Sequence, residues 1–111
     1  MFCPAHAYFE RGSTTILQDG LKWLPVAAQT VVSGKPLEVI GVTPRGAVGD
    51  ARARALAQRR AELVRDLLIE RGASVDRLRV MVKEAPPGIE AAEGTELGAV
   101  VTRPGADAPP P

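Results

Sequence analysis

The spacing of apolar positions along this chain switches between two residues and three to four, and each switch marks an element. Ala5-His6-Ala7-Tyr8-Phe9 reads as a short strand, favoured by its two aromatics, and Gly12-Ser13-Thr14-Thr15 breaks it. Leu17, Leu21, Leu24 and Ala28 then recur at helical spacing, which predicts a helix starting near Gln18 or Asp19. Pro25 interrupts that pattern and should kink the helix or divide it into two turns. Ser33-Gly34-Lys35-Pro36 ends the segment. Leu37 to Val42 is apolar at both parities and rich in β-branched residues, as a strand covered on both faces would be.

Gly41 to Gly49 reads as loop, with Pro44 and Gly46 inside it. Asp50 is placed to cap a long helix running to about Arg71, with Gly72 just beyond its end. Asp76 to Lys83 gives a third strand through Leu78-Arg79-Val80-Met81-Val82. Pro86-Pro87-Gly88 forces a loop, a last strand covers roughly Glu96 to Thr102, and Ala108-Pro109-Pro110-Pro111 is a tail or linker. The predicted order is β-α-β-α-β-β. It implies an α/β two-layer (α+β) sandwich, a mixed sheet of about four strands with the helices packed on one face.

One residue does not fit its stripe. At helical spacing Leu56, Leu63, Val64 and Leu67 fall on one side of the long helix, and Arg60 falls among them. A guanidinium keeps its charge and is costly to bury alone. Either its stem crosses the rim of the core so that the head reaches water, or the head waits for an anion.

Composition narrows the classes. At 111 residues the chain is the size of one domain. No apolar run is long enough to span a membrane, and Met1-Phe2-Cys3-Pro4 lacks the basic start and apolar stretch of a signal peptide. Cys3 is the only cysteine, so it forms no internal disulfide; it would serve as a lipid anchor only behind a different leader. The net charge of +1 hides an uneven spread: residues 41–83 carry ten bases against five acids, whereas residues 84–111 carry Arg103 against five acids. The basic middle suits an anionic partner, unless Glu62, Asp66 and Glu70 simply pair with arginines one turn away.

Catalysis finds no support. His6 is the only histidine and lies in the first strand, so a histidine-based metal cluster or a Cys-His pair cannot be assembled. Gly41, Gly46 and Gly49 match neither a P-loop nor a dinucleotide spacing, and no cofactor is implied. The arginine-rich helix lacks aromatics for stacking on bases, which argues against nucleic acid.

Between Tyr8 and Arg103 the residues resemble the OmpA-like C-terminal domain of Gram-negative envelope proteins. The resemblance rests on Tyr8-Phe9-Glu10-Arg11-Gly12-Ser13 and on Leu37-Glu38-Val39-Ile40-Gly41-Val42-Thr43. Its strongest part is Leu56-Ala57-Gln58-Arg59-Arg60-Ala61-Glu62-Leu63-Val64, followed by Arg71-Gly72-Ala73 and Asp76-Arg77-Leu78. On this reading residues 1–4 are an N-terminal extension, 5–103 the OmpA-like domain and 104–111 a proline-rich tail. The resemblance implies a non-catalytic, periplasmic or cell-envelope module that binds peptidoglycan. The arginine matching Arg60 would grip the carboxylate of diaminopimelate in the stem peptide, for which a planar guanidinium fork is suited.

The departures from the family cluster at that site. The family strand ends Gly-His-Thr-Asp, and its aspartate takes the ligand ammonium. Here the histidine position is Val42, and the aspartate position is Pro44, or Arg45 when counted back from Arg60. Ala53 and Ala57 stand at the family's Asn and Ser, and Glu96-Leu97-Gly98-Ala99-Val100-Val101 replaces an arginine pair that usually begins the last strand. Asp50 is the nearest substitute acid. Two functions follow as expectations. One is a scaffold or protein-interaction module with an envelope protein as partner and weakened or lost wall binding. The other is a working wall-binding module in which Arg60, Thr43, Arg45 and Asp50 hold the stem peptide.

Overall fold

Among the described residues the strands and α-helices form in the order read from the sequence: β1 (Ala5–Glu10), α1 (Leu24–Val32), β2 (Leu37–Thr43), α2 (Ala51–Glu70), β3 (Leu78–Glu84), preceded by a 3-10 turn at Val75–Arg77, and β4 (Thr95–Thr102). The computed structural model describes residues 4–18, 21–47, 49–85 and 93–104. The expected Pro86–Gly88 loop, Cys3 and the tail after Pro104 lie outside these. The strands form one sheet in the order β1-β4-β2-β3. β2 and β3 run parallel, joined through α2, while β4 is antiparallel to both β1 and β2. Two helices packed on a mixed four-stranded sheet make the expected two-layer sandwich. Among the described residues no helix is long and apolar enough to cross a membrane.

β2 is central, and all seven of its residues are buried, which is why its sequence is apolar at both parities. Its odd positions Leu37 and Val39 meet Phe9, Leu24, Val31, Val64, Leu68 and Val101 in the core between sheet and helices. Gly41 lies directly under α2: a Cβ there would overlap the Ala57 carbonyl. The absent side chain thus sets how closely α2 approaches the sheet.

The structure corrects two details. α1 is Leu24–Val32, with Pro25 in its first turn, while the expected start at Asp19 lies outside the described residues. A proline lacks only an N–H that the first turn leaves unpaired in any case, so it opens the helix without kinking it. The indole of Trp23 donates to the His6 carbonyl at 3.1 Å and ties this helix start to β1. The buried face of α2 is also rotated from the expected stripe. It comprises Ala57, Arg60, Ala61, Val64 and Leu68, while Leu56, Leu63 and Leu67 lie half-buried at its flank. Small residues mark the line of closest approach, and a leucine count misses them.

The ends of α2 are as expected. The Asp50 carboxylate accepts from the Arg52 and Ala53 amides, and Gly72 takes a φ of 97° after the last turn. On the outer face Gln58 bonds Glu62, while Asp66 pairs with its immediate neighbour Arg65 at 3.2 Å.

Candidate functional site

Arg60 lies in the middle of the buried face of α2, with 2% of its surface exposed. Its stem runs toward the open end of the β1–β4 pair, and the guanidinium stands 5.0 Å from the centre of the Phe9 ring. Nε donates to the Ser13 carbonyl at 2.8 Å, and Nη2 donates to the Glu10 carbonyl at 3.3 Å. Nη2 also forms an ion pair of 2.6 Å with Glu96 Oε2. The head therefore neither snorkels to water nor waits for an anion. The protein supplies the anion itself.

Local geometry explains why Glu96 reaches it. Opposed residues of an antiparallel pair share a face. Ala7 faces Ala99, but Tyr8 faces Leu97 and Phe9 faces Glu96, so β4 carries one extra residue, Gly98, against β1. Such a bulge shifts the alternation by one. Without it Leu97 would occupy the helix-facing side; with it Glu96 does, directly beside Phe9. Gly98 is required there, because a Cβ would overlap the Phe9 ring and come within 3.0 Å of Arg60 Cδ. The second anchor of Glu96 is the Gly12 amide, which donates to Oε2 at 3.2 Å. Gly12 has a φ of 71°, so the β1 turn can aim this N–H inward.

Among the described residues none of the other candidates is hydrogen-bonded or ion-paired to Arg60. Asp50 is engaged as the cap of α2. Arg45 is exposed in the turn after β2, where the Gly46 amide donates to Glu84 at 2.9 Å. Thr43, at the end of β2, is fully buried, and its hydroxyl has no hydrogen-bond partner among the described residues. Val42, at the family's histidine position, is buried on the sheet face away from the core cluster. The residues that sequence reasoning missed are Glu96 and the carbonyls of Glu10 and Ser13. Their signal was present in part, since Glu96 stands where an arginine pair is usual; the bulge that turns it inward was not legible. Among the described residues no group of His, Cys, Asp and Glu could hold a metal.

Comparison with known proteins agrees with this architecture. The OmpA family profile matches residues 8–96, and the chain belongs to the OmpA family. A comparison with curated protein sequences gives no significant match. Among solved structures, the peptidoglycan-associated lipoprotein of Burkholderia pseudomallei superposes with a TM-score of 0.64 at 23% identity, over 86% of this chain and 89% of that one. The C-terminal domain of Helicobacter pylori MotB gives 0.61 at 18%, over 92% and 85%. An outer membrane protein of Borrelia burgdorferi gives 0.64 at 16%, over 90% and 85%. At these identities the likeness is one of fold.

Proposed function

We propose that this domain is a non-catalytic, periplasmic module of the cell envelope, serving as a scaffold or protein-interaction unit in which peptidoglycan binding is weakened or lost. The observation that carries the reading is the 2.6 Å ion pair between Arg60 and Glu96. A stem-peptide carboxylate would have to displace a carboxylate that is already tethered beside the arginine and held by the Gly12 amide. It would gain little net hydrogen bonding by doing so. The ligand ammonium fares no better: the β2–α2 turn offers Pro44 and the exposed Arg45, neither of which accepts a hydrogen bond through its side chain. Wall binding as known for the family needs both charges, and both positions argue against it.

A second reading is favoured by one feature, the buried hydroxyl of Thr43, which has no partner among the described residues. In it Arg60, Thr43, Arg45 and Asp50 still serve a stem peptide, with Asp50 leaving its capping position to meet the ammonium. Amide NMR during titration with a soluble diaminopimelate muropeptide separates the two. The first reading expects no saturable shift in residues 41–50 or around Arg60 at millimolar ligand. Saturable shifts there, lost in Arg60→Ala, would establish the second.

A further inference from the structure

We infer that the outer face of α1 is a docking surface for an amphipathic helix of another protein, one that carries acids at both ends of its apolar face. A surface helix ordinarily turns charged residues to water. From Trp23 to Gly34 this chain has none. The outer side of α1 instead shows Pro25, Val26 and Gln29, with Val32 at their flank and Ser33 just beyond its end. Its hydroxyls are turned back on the backbone: Thr30 Oγ1 donates to the Val26 carbonyl at 2.9 Å, and Ser33 Oγ to the Thr30 carbonyl at 2.7 Å. Pro25, Val26, Gln29, Thr30 and Ser33 line an open groove on this side. The strip runs on from Val32 toward the end of α2. Val32 Cγ2 lies 3.8 Å from where a Cβ on Gly72 would stand, and Ile69 and Val75 flank Gly72 in the chain. Val26, Val32, Ile69 and Val75 are the large apolar side chains left exposed among the described residues, Val26 and Val32 by 62% and 54%. An apolar patch of this kind marks an interface.

Charge decides the occupant. Lys22 and Lys35 stand exposed just beyond the two ends of α1, and neither forms an ion pair among the described residues. At the α2 corner Glu70, Arg71, Asp76 and Arg77 cancel one another. A second copy fits poorly. A twofold axis that lays two strips antiparallel sets Lys22 against Lys35 of the other copy, and one that lays them parallel sets each lysine against itself. Like charges facing each other across an interface count against that pairing. A partner with acids at both ends meets both lysines, and a helix laid along α1 is the ordinary way to fill an apolar helix face. The inference rests on the reading of the domain as a protein-interaction unit, and it adds which face binds and what chemistry the partner presents.

The test is amide NMR titration with a leucine-faced helical peptide of about four turns bearing glutamates at both ends, and with a twin whose ends carry lysines. The acidic peptide should give saturable shifts confined to α1, Ile69 and Val75. The twin should bind about tenfold more weakly at low salt, the most that two exposed ion pairs supply. Lys22→Glu combined with Lys35→Glu should reverse that preference. Val26→Glu changes a side chain that is mostly in solvent, so it should keep the fold and abolish the shifts. No saturable shift with either peptide overturns the inference, and so does equal binding of both. Concentration-dependent dimerisation of the wild type that Val26→Glu removes, read by sedimentation, also overturns it, because a second copy would then fill the strip. A protein partner cross-linked to another face would sink this inference and leave the protein-interaction reading standing. Muropeptide shifts in residues 41–50 would count against the weakened-site reading and leave α1 untouched.

Discussion

Arg60 on α2 and Glu96 on β4 complete each other: the guanidinium is almost fully buried, and the carboxylate 2.6 Å away is the one anionic group joined to it among the described residues. Removing one partner of a buried pair leaves the other charge desolvated, at a typical cost of about 3–5 kcal/mol. Glu96 is partly exposed, so water and the neighbouring carbonyls recover some of that. Glu96→Ala should therefore lose about 2–3 kcal/mol in chloride buffer, measured by urea unfolding. Glu96→Gln keeps an acceptor at the same place and should lose less. Equal losses for the two variants would show that packing, not charge, is what Glu96 contributes.

Gly98 makes that pairing possible, and the same logic applies to Gly41 under α2. A methyl at Gly98 meets an aromatic ring and an arginine stem, both of which have rotamers to give; a methyl at Gly41 meets a helix carbonyl, which does not move without the helix. Overpacking costs typically 1–3 kcal/mol, occasionally more. Gly98→Ala should fall within that range and Gly41→Ala above it. A Gly98→Ala crystal structure should also show the Arg60–Glu96 pair displaced, and an undisturbed pair would remove the argument from the bulge.

Much of this fold was legible in the sequence because its signals are local. Asp50 and Gly72 punctuate α2 through capping chemistry, and the two-sided apolar run of β2 reflects its central place in the sheet. Pro25 was misread because its effect depends on where the helix starts, which is fixed at a distance by Trp23 bonding the His6 carbonyl. Arg60 was recognised as out of place, but not how it is satisfied. Its partners lie on β1, the following turn and β4, and Glu96 reaches it only through a one-residue bulge. A register shift of that kind leaves no periodic trace, and Gly98 alone hinted at it.

Asp50 is a cap in this structure, with its carboxylate 2.8 Å from the Arg52 amide and 3.3 Å from that of Ala53. Loss of a capping side chain costs about 1 kcal/mol, whereas asparagine caps nearly as well as aspartate. Asp50→Ala should thus lose about 1 kcal/mol and Asp50→Asn less than half of that, by thermal or urea unfolding. The same pair tests the second functional reading. If Asp50 served a ligand ammonium, Asp50→Asn would keep the fold and abolish muropeptide shifts; with no ligand role, the wild type and the variant should give the same spectra throughout.

Thr43 offers the sharpest contrast between a structural and a ligand role. Its hydroxyl is fully enclosed at the end of β2 and finds no partner among the described residues, an arrangement that costs about 1–3 kcal/mol relative to a satisfied group. Valine has nearly the same shape, so Thr43→Val removes the polar atom with little change in packing and should raise stability by up to about 1 kcal/mol. Thr102, also buried and without a partner among the described residues but at the far end of β4, is the control, and Thr102→Val should behave likewise. A stabilised Thr43→Val that matches wild type against muropeptide makes the hydroxyl dispensable. A Thr43→Val variant that instead loses stability would show that the hydroxyl is hydrogen-bonded in solution, through an ordered water, and that the end of β2 is wetter than its burial implies.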